Sequence, residues 1–292
     1  MNRTKKGKNR RLFKKKSRSN YKLGYIIVLI VLIPIIYGVY LYYQQTDRPK
    51  NNESQTNESL HFFFDNDLQT PISLIPRQEQ IIHHTGYIVS YNKDLKLPNW
   101  VSYELTREET KGKEKRSNRF ITDPLVKGLI ATNADYARSG YDKGHMAPAA
   151  DMKWSPQAME ASFYFSNICP QHSQLNRRGW KKLEEKIRDW AIADSAIIII
   201  CGPIITKQPK TIGKNKVAVP QQFFKVVLSP FAKPMRAIGF LFNNRQAVEP
   251  LSTYAVTIDS IERLTNIDFF ALLPDEIENK IEAEANYFQW PN

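Results

Sequence analysis

Two runs carry the side chains best suited to chemistry. One is Tyr-Asp-Lys-Gly-His at 141–145. The other is Ser-Asn-Ile-Cys-Pro-Gln at 166–171, leading into Leu-Asn-Arg-Arg-Gly-Trp-Lys-Lys-Leu-Glu at 175–184. Together they offer an imidazole, three amides, two carboxylates and several cations. Imidazole can take a proton from water near neutral pH. Amide and carboxylate oxygens suit a hard divalent cation such as magnesium. That combination fits metal-assisted hydrolysis of a phosphodiester. Of the five histidines, only His145 stands in a compact polar setting, with Gly144 before it and Asp142 placed to orient its ring or to pair with Lys143. Alone it reads more readily as structural; the second run changes that reading.

Positioning these groups requires strands and one helix. Asn167 precedes Pro170 and marks a strand end or turn, with Ala161–Ser166 as the strand before it. From Arg177 to Ala193, Trp180, Leu183, Ile187 and Trp190 recur at three- and four-residue spacing with charges between, which predicts an amphipathic helix. Asn176 occupies the N-cap position of that helix, and Glu184 lies about two turns on, near the same face. Gly86–Tyr91 and Trp100–Leu105 read as a strand pair. The apolar run Ala196–Cys201, ended by Gly202-Pro203, reads as a buried central strand. Phe223–Leu228 and Ala237–Phe242 add strands, and Val256–Leu264 begins a helical stretch that continues beyond Pro274. The expected class is α+β, with a mixed central β-sheet flanked by helices.

Asp142-Lys-Gly-His145, Asn167-x-x-Pro-Gln171 and Asn176-x-x-x-Trp180-x-x-Leu-Glu184, in that order, resemble the motifs of the DNA/RNA non-specific endonucleases. This group belongs to the ββα-metal superfamily and includes the endonuclease G type. The resemblance extends over roughly 81–290. It takes in Asn133-Ala-Asp-Tyr, the Ile-Cys-Gly-Pro-Ile strand at 200–204 and Val219-Pro-Gln-Gln-Phe-Phe-Lys225. It implies a ββα-metal motif at the active site, DNA and RNA substrates, 5′-phosphate products and Mg²⁺ as cofactor, with Mn²⁺ as a substitute. It makes His145 the general base, Asn176 the direct metal ligand, Glu184 the holder of water on the metal, and Asn167 an amide orienting base or substrate. Asp142 matches the motif's acid. The motif's usual arginine is Lys143 here, which keeps the charge but not the planar fork. The family also uses an upstream arginine on the transition-state phosphate. Arg116 fits best and Arg119 competes. Lys143, Arg119 and Arg177 are the expected substrate contacts.

The formal charge of +13 is distributed unevenly. Residues 1–23 hold eleven of the 42 basic residues and none of the 29 acids, leaving 31 against 29 for the rest. Basicity is therefore no argument for nucleic acid by itself. Tyr25–Tyr43 is uncharged and apolar, close to the ~20 residues that cross a bilayer. Tyr37, Tyr40, Tyr42 and Tyr43 would form its far aromatic belt. The expected organisation is a basic cytoplasmic tail (1–23), a transmembrane signal-anchor (24–43), a polar linker (44–80) and a catalytic domain (81–292). The basic flank would keep the N-terminus cytoplasmic and place the domain in the periplasm or outside the cell. A cleaved signal peptide is the rival, but the apolar run is long for one and no Ala-x-Ala follows it. Two cysteines, Cys169 and Cys201, are too few for a disulfide framework, and their spacing does not decide whether they pair. Protein partners stay open, a homodimer among them. A binding module without turnover, a phosphodiesterase for nucleotides or lipid headgroups, and a structural envelope protein are the alternative functions; the last leaves the ordered polar cluster unexplained.

Overall fold

The computed structural model describes residues 68–291. The proposed tail and membrane span, and the linker up to residue 67, lie outside them. Residues 68–80, expected as the end of the linker, are built into the body. Leu68 is buried, and Arg77 donates to the carbonyls of Thr265 and Asn266 at 2.9 and 2.8 Å.

The first half of the described chain runs β1 (Ile72–Ser73), β2 (Gln80–His84), β3 (Tyr87–Asn92), β4 (Leu97–Thr106), α1 (Asn133–Tyr136), β5 (Asp142–His145), α2 (Pro156–Ser162) and β6 (Ile168–Gln171). A π-helical turn, Leu175–Trp180, runs directly into α3 (Lys181–Asp194). Then come β7 (Ala196–Ile204), β8 (Thr211–Ile212), β9 (Val217–Ala218), β10 (Gln222–Ser229), β11 (Arg236–Asn243) and β12 (Ala255–Val256). The chain closes with α4 (Ile258–Thr265), β13 (Ile267–Asp268) and α5 (Asp275–Glu282).

Seven strands form the central sheet in the order β12-β11-β10-β7-β4-β3-β2. The class is α+β, but the sheet is not mixed: every neighbouring pair is antiparallel. The reason is the return path after β4. The long excursion that follows comes back to the point it left, where Arg107 N–H donates to Ser195 O at 2.7 Å. β7 therefore starts beside the end of β4, with Ala196 opposite Thr106.

The central strand β7 is apolar on both faces because both are covered. Ile197, Ile199 and Cys201 enter one core, with Leu183, Ile187 and Trp190 of α3. Ile198 and Ile200 enter the other, with Ile258 and Ile261 of α4 and Ile281 of α5. The expected helix stripe is thus the face α3 lays on the sheet. Ala161–Ser166 is not a strand. It holds the end of α2 and the start of a 3₁₀ turn, Phe165–Asn167. Ser155 and Pro156 start that helix: the Ser155 hydroxyl accepts from Ala158 N–H, and Pro156 needs no donor in the first turn. Both cysteines are free and buried, and the Cys201 thiol donates to Met146 O.

Candidate active site

The chemistry-bearing residues sit in the excursion between β4 and β7. β5 and β6 pair antiparallel, with Asp142 opposite Gln171 and His145 opposite Ile168. Gly144 is needed in this ribbon, since a Cβ there would lie 2.3 Å from Gln171 Oε1. The ribbon is followed by the π-helical turn and α3, which completes a ββα unit.

His145 is buried at the end of β5. Its ring packs against Phe120 and Phe163, with centroids 5.4 and 5.0 Å away. Its Nε2 is enclosed and has no hydrogen-bond partner. Burial, reinforced by the nearby Arg116 charge, pushes its pKa down to about 3, so the ring is neutral at neutral pH. Its own carbonyl accepts from the Trp180 indole at 3.3 Å, which ties β5 to the helix.

Asn176 is not an N-cap. The helical path begins at Leu175, which puts Asn176 inside the π turn. Such widened turns recur at functional sites because they displace a side chain from the regular helical position. The Asn176 Nδ2 donates to Asp142 Oδ2 at 3.0 Å. A carboxylate only accepts, so the amide's orientation is fixed and Oδ1 is left as the atom that could accept a hydrogen bond or ligate a cation. Arg177 completes this clamp with a two-pronged contact to Asp142, 2.8 Å from each oxygen. Burial opposes the Asp142 charge, but the bonds from Arg177 and Asn176 outweigh it and hold the carboxyl below its ordinary pKa. Asp142 therefore anchors both the Asn176 amide and the Arg177 guanidinium.

One cleft is lined by Arg116, Lys143, His145, Asn176, Arg177 and Glu184. Burial pushes the Glu184 carboxyl up to about 7; Lys225 offsets part of this and Asp151 adds to it. Arg116 reaches the cleft with its guanidinium 5.0 Å from the Phe163 ring centre and its Nε bonded to Asn118. Arg116 and Arg119 are both exposed, but only Arg116 lines the cleft. Lys143 lies 4.3 Å from the Phe120 ring centre and donates to Asn133 Oδ1 at 2.7 Å.

Asn167 stands apart from the cleft lining. Its amide is buried and fully engaged with backbone, accepting from Ala147 N–H and donating to Ala147 O and Ser162 O, each at 2.8 Å. It braces the segment after His145 and does not reach the cleft.

Three charged groups escaped the sequence reading. Arg188, one turn beyond Glu184, also lines the cleft and donates to the buried Asp151 at 2.7 Å; Tyr103 donates to the other Asp151 oxygen at 2.9 Å. Lys225 is fully buried with its Nζ 4.5 Å from the Trp180 ring centre. The i,i+4 spacing from Glu184 could have flagged Arg188. A lysine inside the apolar run Phe223–Leu228 could have flagged Lys225. Asp151 carried no local signal.

Residues 41–276 match the family model described as DNA/RNA non-specific endonuclease. The chain is 33% identical over 210 residues to mitochondrial endonuclease G of Bos taurus, covering 67% of this chain and 70% of that protein. It is 29% identical over 274 residues to the mitochondrial nuclease of Saccharomyces cerevisiae, covering 84% and 80%. A solved structure of an EndoG/EndoGI complex, titled as showing the mechanism of EndoG inhibition, superposes with a TM-score of 0.64 at 29% identity, over 69% of this chain and 90% of that one. The chain belongs to the DNA/RNA non-specific endonuclease family and is a nucleic-acid-cleaving hydrolase.

Proposed function

We propose that this protein is a magnesium-dependent endonuclease that hydrolyses DNA and RNA with little sequence preference and leaves 5′-phosphate ends. The observation that carries this reading is the shared cleft: a neutral, buried His145 and an Asn176 amide whose oxygen is freed by Asp142 line the same cavity. The donor set fits magnesium, with an amide oxygen as hard ligand and a carboxylate to hold the ion's water. Asn176 Oδ1 would hold the ion and Glu184 would orient its hydration. When bound there, the ion supplies positive charge beside the phosphate and the departing 3′-oxygen.

The protein's own residues do the rest. The neutral His145 ring accepts a proton from water as that water attacks phosphorus in line. An incoming phosphate raises the basicity of the ring, which Arg116 and burial otherwise depress. Arg116 neutralises a non-bridging oxygen as charge builds there. Lys143 and Arg177 offer contacts to the flanking backbone, which carry no base information.

The test is a plasmid digest by the full-length protein in detergent, with Mg²⁺ and with EDTA. Cleavage should require Mg²⁺, disappear in His145→Ala, and give ends that DNA ligase joins without added kinase. Binding without cleavage would favour a recognition module. Hydrolysis of a phospholipid or dinucleotide in preference to long DNA would favour a different phosphodiesterase.

We further propose that residues 24–43 anchor the enzyme in a membrane with the catalytic domain outside the cytoplasm. The support is the uncharged apolar run flanked by eleven basic residues.

A further inference from the structure

We propose that Asp259, Glu262 and Glu282 form a second cation site, for a hard divalent ion of the calcium type, remote from the catalytic cleft. Each residue presents one oxygen, and these oxygens all lie within 4.8 Å of one another. Asp259 and Glu262 are three residues apart on α4, and Glu282 closes α5. None of them lines the catalytic cleft. α4 and α5 pack into the core on one face of the sheet, through Ile258, Ile261 and Ile281; α3 packs into the core on the other.

Glu282 is the independent pointer to a ligand. The residue is only 5% exposed, and its Oε1 is buried with no hydrogen-bond partner. Glu278, one turn earlier on the same helix face, also has a buried, unpartnered Oε1. Glu262 uses one oxygen to accept from Phe269 N–H at 2.8 Å, which fixes its carboxylate and leaves the other oxygen free. Among the described residues no ion pair reaches Asp259, Glu262 or Glu282. Arg263, the nearest cation on α4, donates to Ser260.

Buried carboxylates without a countercharge either take up protons or bind a cation. Burial and the neighbouring carboxylates push Glu282 up to about 9 and Glu278 up to about 7, so Glu282 holds a proton near neutrality when no ion is there. An all-oxygen donor set excludes a preference for the softer transition metals. Calcium tolerates irregular sets of six to eight oxygens and two-pronged carboxylates, whereas magnesium demands a near-octahedral cage. A cation here would clamp α4 to α5 and fasten the C-terminal segment to the sheet.

The experiment is thermal unfolding and calorimetric titration of the full-length protein, stripped with chelator and then given CaCl₂. The wild type should gain roughly 5–10 °C in melting temperature at calcium a hundredfold above its dissociation constant. Asn176→Ala should keep that gain; Glu282→Gln and Asp259→Asn should lose it. In chelator, Glu282→Gln should melt no lower than the wild type, which separates a lost ligand from a damaged fold. Asp259, partly exposed, gives the answer should the Glu282 variant fail to fold. No binding and no thermal shift up to about 10 mM calcium, beyond the weak end of calcium modules, would overturn the site. So would a full shift retained in both carboxamide variants. Because stability and binding are read, a failed nuclease assay would leave this result standing.

Discussion

At the residue scale, three environments set the chemistry. His145 is kept neutral by burial and by Arg116, so its protonation state is secured well above the acid range. Glu184 is different. Its carboxyl is raised to about 7, so without metal it holds a proton for much of the time near neutrality. A cation must displace that proton. The Mg²⁺ concentration for half-maximal cleavage should therefore rise as pH falls through about 7, by up to roughly tenfold per pH unit below it for a single proton released. Titrating Mg²⁺ at several pH values checks this, and a pH-independent requirement would remove Glu184 from the metal's surroundings. The two arginines separate as well. Arg116→Ala should lower kcat by about 10²–10³, the usual effect of losing a group aimed at developing charge. Arg119→Ala should lower it by less than about tenfold, since Arg119 lies off the cleft. Equal losses in single-turnover kinetics would refute the assignment.

At the element scale, the ββα unit works because short elements are pinned together. Trp180 joins the helix to the His145 carbonyl, and Asp142 joins the ribbon to Asn176. Asn167 joins the segment after His145 to the end of α2. Asn167→Ala would leave several buried backbone groups without partners and should cost roughly 2–4 kcal/mol. Activity should fall with it, while the Mg²⁺ requirement stays close to wild type; urea unfolding beside a Mg²⁺ titration measures both. A stable variant with a weakened metal response would mean that Asn167 acts on the metal directly. The helix stripe and the β7 run were legible because periodicity is local. The π turn was not, because a widened turn leaves the apolar spacing of Trp180, Leu183 and Ile187 unchanged.

At the scale of the whole molecule, the antiparallel sheet separates two cores. The catalytic excursion packs on one and the α4–α5 carboxylates stand beside the other. The described body follows a segment in which basic and apolar residues are sharply partitioned. Full-length protein expressed in cells should sediment with membranes and be released by detergent but not by high salt. Release by salt alone would point to the basic tail acting as a surface contact, since such contacts are screened.

What the chain's own residues determined is the family and the local elements: an ordered set of motifs, the helix face beneath Glu184 and the apolar strands. These are matters of type and short spacing, which linear sequence encodes directly. Tertiary structure decided the partners. It put Arg116 and not Arg119 on the cleft, bound the Asn167 amide to backbone, aimed the Asn176 amide at Asp142, and made the central sheet antiparallel throughout. It also brought Glu282 within 4.8 Å of Asp259 and Glu262. Each of these depends on groups distant in sequence meeting in a buried place. There, the low dielectric and the loss of water make a partner, or the want of one, count for far more than residue type.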